Sequence, residues 1–155
     1  MPPYDFTYLK RLHRHLFQDI YDWAGEIRTI DISKGETRFC TIDRIDVEAN
    51  KIFQTLAKMN WLEGLDRQGL VKAVAEYYGD LNMIHPFRDG NGRAQRVLFE
   101  HLIINAGYQI NWWPVTQQEW TQANIEAVVC NYSALESIFS RCIGQQVSIT
   151  PDGNS

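Results

Sequence analysis

Leu9, Leu12, Leu16, Ile20 and Trp23 recur at intervals of three and four, the spacing that lines side chains along one face of a helix, so a first helix is expected from about Asp5 to Trp23. Ala24-Gly25 stops it. Polar and apolar residues then alternate from Glu26 to Ile32, and Thr37 to Ile42 can run back after Ser33-Lys34-Gly35-Glu36, which predicts a short β-hairpin turning at Lys34-Gly35. Helical spacing resumes with Ile45, Ala49, Ile52, Phe53 and Leu56 behind Asp43 as N-cap, and breaks around Trp61 to Gly64. A third helix, about Asp66 to Ile84, carries Leu70, Val74, Tyr77 or Tyr78, and Leu81 on one side, and Pro86 cuts it off because proline disfavours a helical residue before it. The loop His85 to Gly92 leads into a fourth helix with Val97, Leu98, Leu102 and Ala106 inward, closed by Gly107. Gln117 to about Ala127 and Tyr132 to Ile143 read as two further helices joined near Cys130, and the tail after Gly144 has no periodicity. The expectation is one mostly helical domain over residues 1–144 with a single small hairpin, and a disordered tail over 145–155.

Composition narrows the partners more than the fold. Of 155 residues, 45% are hydrophobic and 22% charged, enough apolar material for a core and against disorder or coiled coil. Fifteen Lys and Arg against nineteen Asp and Glu leave a net charge of −4, so neither nucleic acid nor an anionic membrane is an expected partner. A bound anion must therefore be held by a local site. Cys40, Cys130 and Cys142 are widely spaced, with no Cys-x-x-Cys pair and no zinc pattern, which suits a reducing compartment. With no signal peptide and nothing approaching the roughly 20 apolar residues of a membrane span, a cytoplasmic location is expected. The sequon Asn131-Tyr132-Ser133 is then without consequence. His13, His15 and His101 have no metal-ligand neighbours and read as helix-surface or packing residues; Trp112-Trp113 reads as packing.

Chemistry concentrates in one stretch, His85-Pro-Phe-Arg-Asp-Gly-Asn-Gly-Arg-Ala-Gln-Arg96. A loop loosened by Gly90 and Gly92 feeds a helix start, where unpaired N–H groups and the positive end of the helix dipole make an anion site. Arg93 and Arg96 lie three apart on one helical face and extend that site by forked hydrogen bonds, which fits a polyphosphate. Asp89 would repel phosphates unless a divalent cation sat between them, and Mg²⁺ held by one carboxylate plus phosphate oxygens is the usual arrangement. His85 can accept a proton from an attacking hydroxyl near neutral pH. Each feature alone has a bland reading: a turn, a structural histidine, a solvated basic face. Together, in one loop-to-helix element, they point to transfer of a phosphorus-centred group by alignment and charge neutralisation.

The stretch resembles, position for position, the signature of the Fic family, His-x-Phe-x-(Asp or Glu)-Gly-Asn-Gly-Arg-x-x-Arg, with all eight fixed positions met. Leu16 to Arg28 resembles that family's helix leading into a flap hairpin, and Gly107-Tyr108 and Trp120 to Asn124 its downstream helices, so the likeness covers about residues 9 to 143. The resemblance implies a Fic fold and a protein adenylyltransferase that moves AMP from ATP to a Ser, Thr or Tyr hydroxyl of a target protein and releases pyrophosphate. It implies His85 as the base, Phe87 as the anchor of the loop and Asp89 as the Mg²⁺ ligand. Gly90, Asn91 and Gly92 become the cradle of the phosphates, with the Asn91 side chain on the α-phosphate, and Arg93 and Arg96 the clamps on the outer ones. The hairpin, with Lys34, Gly35, Glu36 and Thr37 at its tip, is the flap that holds the target segment by strand addition. Related Doc proteins carry lysine where Gly92 stands and transfer the γ-phosphate, so glycine here favours adenylyl transfer. The same fold with another donor (UMP, phosphate or phosphorylcholine) and a catalytically idle nucleotide-binding protein are the alternatives.

Two departures from the family pattern matter. Many members carry an inhibitory helix, (Ser or Thr)-x-x-x-Glu-(Gly or Asn), whose glutamate pairs with the second arginine of the motif; no Ser or Thr of this sequence has Glu four residues later. Either a separate small antitoxin supplies the helix, with this chain as the toxin, or the chain is a constitutively active effector or fragment; the antitoxin is the expected partner, since an uncontrolled modifying enzyme would harm its host. The stretch before Leu16 is also shorter than in most members, which suggests a truncated or minimal N-terminus.

Overall fold

The structure, a computed structural model, describes residues 2–147. Six α-helices stand among the described residues: α1 Phe6–Phe17, α2 Ile45–Lys58, α3 Arg67–Ile84, α4 Asn91–Asn105, α5 Gln117–Ala127 and α6 Ser133–Cys142. Two antiparallel pairs accompany them, β1 Ser33–Lys34 with β2 Thr37–Arg38, and β3 Tyr108–Ile110 with β4 Ile143–Gln146. The long α3 is central, packed on α2, α4, α5 and α6, while α1 covers α4. Asp66 caps α3 by accepting from the Gly69 amide at 2.8 Å, and Asp5 caps α1 through the Tyr8 amide at 2.8 Å. Leu70, Val74 and Leu81 are buried as the spacing requires. Tyr78 rather than Tyr77 takes the inward position, its ring against Phe99, Trp120 and Phe139. Asp43 does not cap α2; it lies in the 3₁₀ turn Ile42–Arg44 that precedes it.

Three boundaries differ from the sequence reading. The first helix ends at Phe17, not Trp23, and the expected inward residues Leu16 and Ile20 are 37% and 66% exposed. His13 and Phe17 face inward instead. The chain turns back because the rings beyond α1 find partners on one another: Tyr21 stacks on Trp23 at 4.2 Å and Trp23 on His13 at 5.9 Å. Gly25, at φ 83°, lets the backbone close on α1, where a Cβ would come within 2.8 Å of the Arg14 side chain.

The hairpin strands are two residues each, paired Ser33 to Arg38 and Lys34 to Thr37, so the turn is Gly35-Glu36 and not Lys34-Gly35. Phe39 N–H to Ile32 O, at 3.2 Å, adds one rung. Below it the two stems bond to the end of α3 rather than to each other: Arg28 N–H donates to Pro86 O at 2.8 Å and Cys40 N–H to Met83 O at 3.0 Å. The residues after Gly144 also depart from expectation, since Gln145 and Gln146 continue β4 against Tyr108. The rest of the expected tail, residues 148–155, lies outside the described residues.

Candidate active site

The motif loop is built by two backbone irregularities. His85 ends α3 in the left-handed region at φ 47°, ψ 62°, and Gly90 opens α4 at φ 79°. A Cβ at Gly90 would stand 2.4 Å from the Phe17 ring, so conformation and space both demand glycine there. Asn91 closes the loop between them, accepting from Phe87 N–H at 2.9 Å and donating to Phe87 O at 2.7 Å. The second N–H of that amide remains. Phe87 is fully buried and stacks on His13 at 3.9 Å. His13 accepts from Gly25 N–H at Nδ1 (2.9 Å), so its proton sits on Nε2, which donates to Asp89 O at 2.8 Å. Burial lowers its pKa and keeps it neutral.

His85 is half-buried against the Phe39 ring at 4.1 Å, with Nδ1 buried and without a partner among the described residues. Burial first, then the charges of Arg28 and Lys34, push its pKa down to about 4 against the opposing pull of Asp89. At neutral pH it is an uncharged imidazole, the form that accepts a proton. Asp89 is exposed; Oδ2 accepts from Tyr21 O–H at 2.7 Å and Oδ1 from Gly90 N–H at 2.9 Å. These bonds hold its carboxyl below the usual range, the tyrosine foremost, so it is ionised. No side chain caps the first turn of α4, which leaves its amides for an anion. Arg93 lies over the Phe17 ring at 5.9 Å, and neither Arg93 nor Arg96 has a hydrogen-bond or ion-pair partner among the described residues.

A cavity of about 350 Å³ joins three elements: His85, Asn91 and Gly92 from the motif, Lys34, Gly35 and Thr37 from the hairpin tip, and one face of α5. Glu36, Asp89, Gly90 and Arg93 do not line it, and Arg96 lines a neighbouring space of about 370 Å³. Trp120 and Thr121 border both. Sequence reasoning missed the apolar wall of Phe39, Ile125 and Val128, and missed Tyr21 and His13 as supports of Asp89 and Phe87. The signal was the run of aromatic rings from His13 in α1 to Tyr21 and Trp23 beyond it, which the helical spacing disguised.

The sequence profile of the Fic/DOC family matches residues 3–103. This chain belongs to the Fic/DOC family. Among curated relatives, the Escherichia coli "Probable protein adenylyltransferase Fic" is 42% identical over 138 residues, 89% of this chain and 69% of that one. "Protein adenylyltransferase VbhT" of Bartonella schoenbuchensis is 38% identical over 89% of this chain and 29% of its own. Among solved structures, the BepC protein of Bartonella tribocorum with bound AMPPNP superimposes with a TM-score of 0.85 at 29% identity, covering 94% of this chain and 78% of that one. An N-terminal Fic domain from Bartonella quintana with bound ADP gives 0.86 at 32%, covering 94% and 76%. The mostly helical Fic fold with its small hairpin is thus the fold of this chain.

Among the described residues no three His, Cys, Asp or Glu side chains gather as a metal cage. The Fic loop therefore offers a cation one carboxylate, Asp89, ionised and with lone pairs to spare after its two hydrogen bonds. That donor set fits Mg²⁺ shared with phosphate oxygens and does not fit a closed protein site.

Proposed function

We infer that this chain is a protein adenylyltransferase, transferring AMP from ATP to a hydroxyl of a target protein. One observation carries the reading: a neutral histidine opens into the same cavity as an uncapped helix start and a hairpin tip. The hydroxyl oxygen attacks the α-phosphorus, its proton passes to the imidazole of His85, and the bond to pyrophosphate breaks. Asn91 and Gly92 cradle the phosphates with backbone N–H groups and the spare Asn91 donor, Gly90 shapes the turn that presents them while its own N–H stays on Asp89, and Arg93 and Arg96 clamp the outer phosphates. Asp89 holds Mg²⁺, which offsets phosphate charge when bound. Lys34, Gly35, Glu36 and Thr37 register the target segment by main-chain pairing, for which the two short strands leave open edges.

Gly92 favours α- over γ-phosphate transfer by what it leaves out. A Cβ there would meet nothing within 4 Å, so the fold itself does not require glycine and the freed space belongs to the nucleotide. The unpartnered Arg96 supports a small antitoxin whose glutamate would occupy it, with this chain as the toxin. A cytoplasmic site of action agrees with free cysteines and with no described helix being long and apolar enough to cross a membrane.

Incubation with a cell lysate and ATP labelled at the α-phosphate tests the activity: labelled protein is expected, and no label from the folded chain would refute it. Label entering from γ-labelled ATP instead would assign phosphoryl transfer. Thr37→Pro should lower target labelling by about 10- to 100-fold while AMPPNP still binds, and unchanged labelling would remove the docking role of the hairpin.

A further inference from the structure

Arg28 is 2% exposed, and its charge has no buried counterion among the described residues. The nearest carboxylate, Asp31, lies 3.9 Å away with its side chain 62% exposed. The guanidinium donates only to main-chain carbonyls: Nε to His85 O at 2.6 Å, Nη1 to Ile30 O at 2.7 Å, Nη2 to Ile84 O at 3.1 Å and to Cys40 O. Its own amide bonds to Pro86 O at 2.8 Å. Two of the side-chain acceptors, with Pro86, form the left-handed corner that aims the His85 ring. The other two are the opposite stems of the hairpin. A planar fork with five N–H groups can span such a set; a lysine, a single charged point, cannot. Burying a charge among neutral dipoles is costly, and packed apolar residues would hold the same segments together at lower cost. What they would not do is tie four carbonyls to one rigid planar group.

We propose that Arg28 is the positioning residue that fixes the register between the hairpin, where the target segment docks, and the base His85, so that a docked hydroxyl arrives at the imidazole. Arg28 does not line the cavity. The inference rests on the adenylyl-transfer reading above and adds to it the coupling of target docking to proton transfer. Its charge has a second effect on the same ring. The groups acting on the His85 charge are Arg28 and Lys34, which disfavour the imidazolium, and Asp89, which favours it; the Phe39 face covering the ring is uncharged.

Arg28→Lys and Arg28→Gln, measured with α-labelled ATP and lysate, separate this role from a merely structural one. Transfer per AMPPNP-binding site should fall at least about 30-fold in both, with AMPPNP affinity within about threefold, because misalignment of reacting groups costs rate and not nucleotide binding. The double variant Arg28→Lys with Thr37→Pro should be no slower than the slower single variant, since both break one register. In Arg28→Gln the acid limb of the rate profile should move to higher pH, whereas Arg28→Lys should leave it in place. Multiplicative losses in the double variant, or transfer per site within about threefold of wild type, would overturn the proposal.

If neither variant folds, amide exchange in the wild-type chain decides. The Arg28 and Cys40 N–H groups should exchange with the protection of the last turn of α3, as one cooperative unit, and faster independent exchange would refute the link. The exchange result does not depend on activity. If wild type labels no protein while exchange shows one unit, the adenylyl-transfer reading fails and the mechanical link stands. If wild type labels protein and the Arg28 variants label it equally, the link fails alone.

Discussion

The two halves of the Fic loop are built on opposite principles. From His85 to Asn91 the chain engages its own polar atoms: Arg28 on the carbonyls of Ile84 and His85, Asn91 on Phe87, His13 on Asp89 O, and Tyr21 on the Asp89 carboxylate. Arg93 and Arg96, one turn further on, have no hydrogen-bond or ion-pair partner among the described residues. The first half is pre-organised because its task is aim, and a small displacement of a reacting group costs rate steeply. The second half is left open because its task is to meet charge that a guest brings. The buried exception within the first half is the His85 ring, whose Nδ1 has no partner among the described residues.

The largest effect should come from that exception. His85→Ala should lower transfer by about 10²- to 10⁴-fold, the usual contribution of a general base, with AMPPNP affinity little changed; retained transfer would place the base elsewhere. Arg96→Ala tests the open half. It should weaken AMPPNP about 10- to 100-fold, the loss of a charge-assisted hydrogen bond, while AMP binding stays as it was. Equal losses for both nucleotides, read by calorimetry, would show that Arg96 does not meet the outer phosphates.

The glycines sharpen the contrast at single-residue scale. Gly90→Ala forces a Cβ to 2.4 Å from the Phe17 ring at φ 79°, and should destabilise the chain by about 1–3 kcal/mol in thermal unfolding. Gly92→Ala meets open space in a helix and should leave stability level or slightly higher while weakening nucleotide binding. Equal melting points for the two would erase the distinction between the halves. The smallest effect is on pH. With the pKa of His85 at about 4, transfer should lose little between pH 7 and pH 5, where an ordinary histidine near 6.5 would already be protonated. The unfolded chain binds the proton first, so stability should fall as pH drops from about 6.5 towards 4, and a flat stability profile across that window would contradict the depressed pKa.

How much of this was legible depended on the range over which each residue finds its partner. The helices α2 to α6 and the loop feeding α4 could be read because helical period, caps and Pro86 act within a few residues. The end of α1 could not, since its fate is set by Tyr21 reaching Asp89 and His13 reaching Phe87, both far along the chain. The hairpin was read too long for the same reason: the alternation from Glu26 to Ile32 is real, but the Arg28 amide goes to Pro86 and the Cys40 amide to Met83. The pair β3–β4 escaped notice because Tyr108–Ile110 is three residues long and its partner follows α6 without a turn signal. In the site, the motif identified His85, Asn91 and Gly92 as neighbours in one cavity, while Phe39, Ile125 and Val128, which have no chemistry of their own, became visible only as its walls.

Position 13 shows how narrow a chemical vocabulary such a scaffold can accept. The site needs a flat ring to lie on Phe87, an acceptor on one edge for the Gly25 amide and a donor on another for the Asp89 carbonyl. Glutamine and asparagine have the acceptor and the donor without the ring, tryptophan has the ring and the donor without the acceptor, and phenylalanine has the ring alone. Of the twenty amino acids, neutral histidine alone meets all three demands at that spacing. Any drift at this position is therefore expected to be repaired by reversion rather than by substitution, although the residue does not line the cavity.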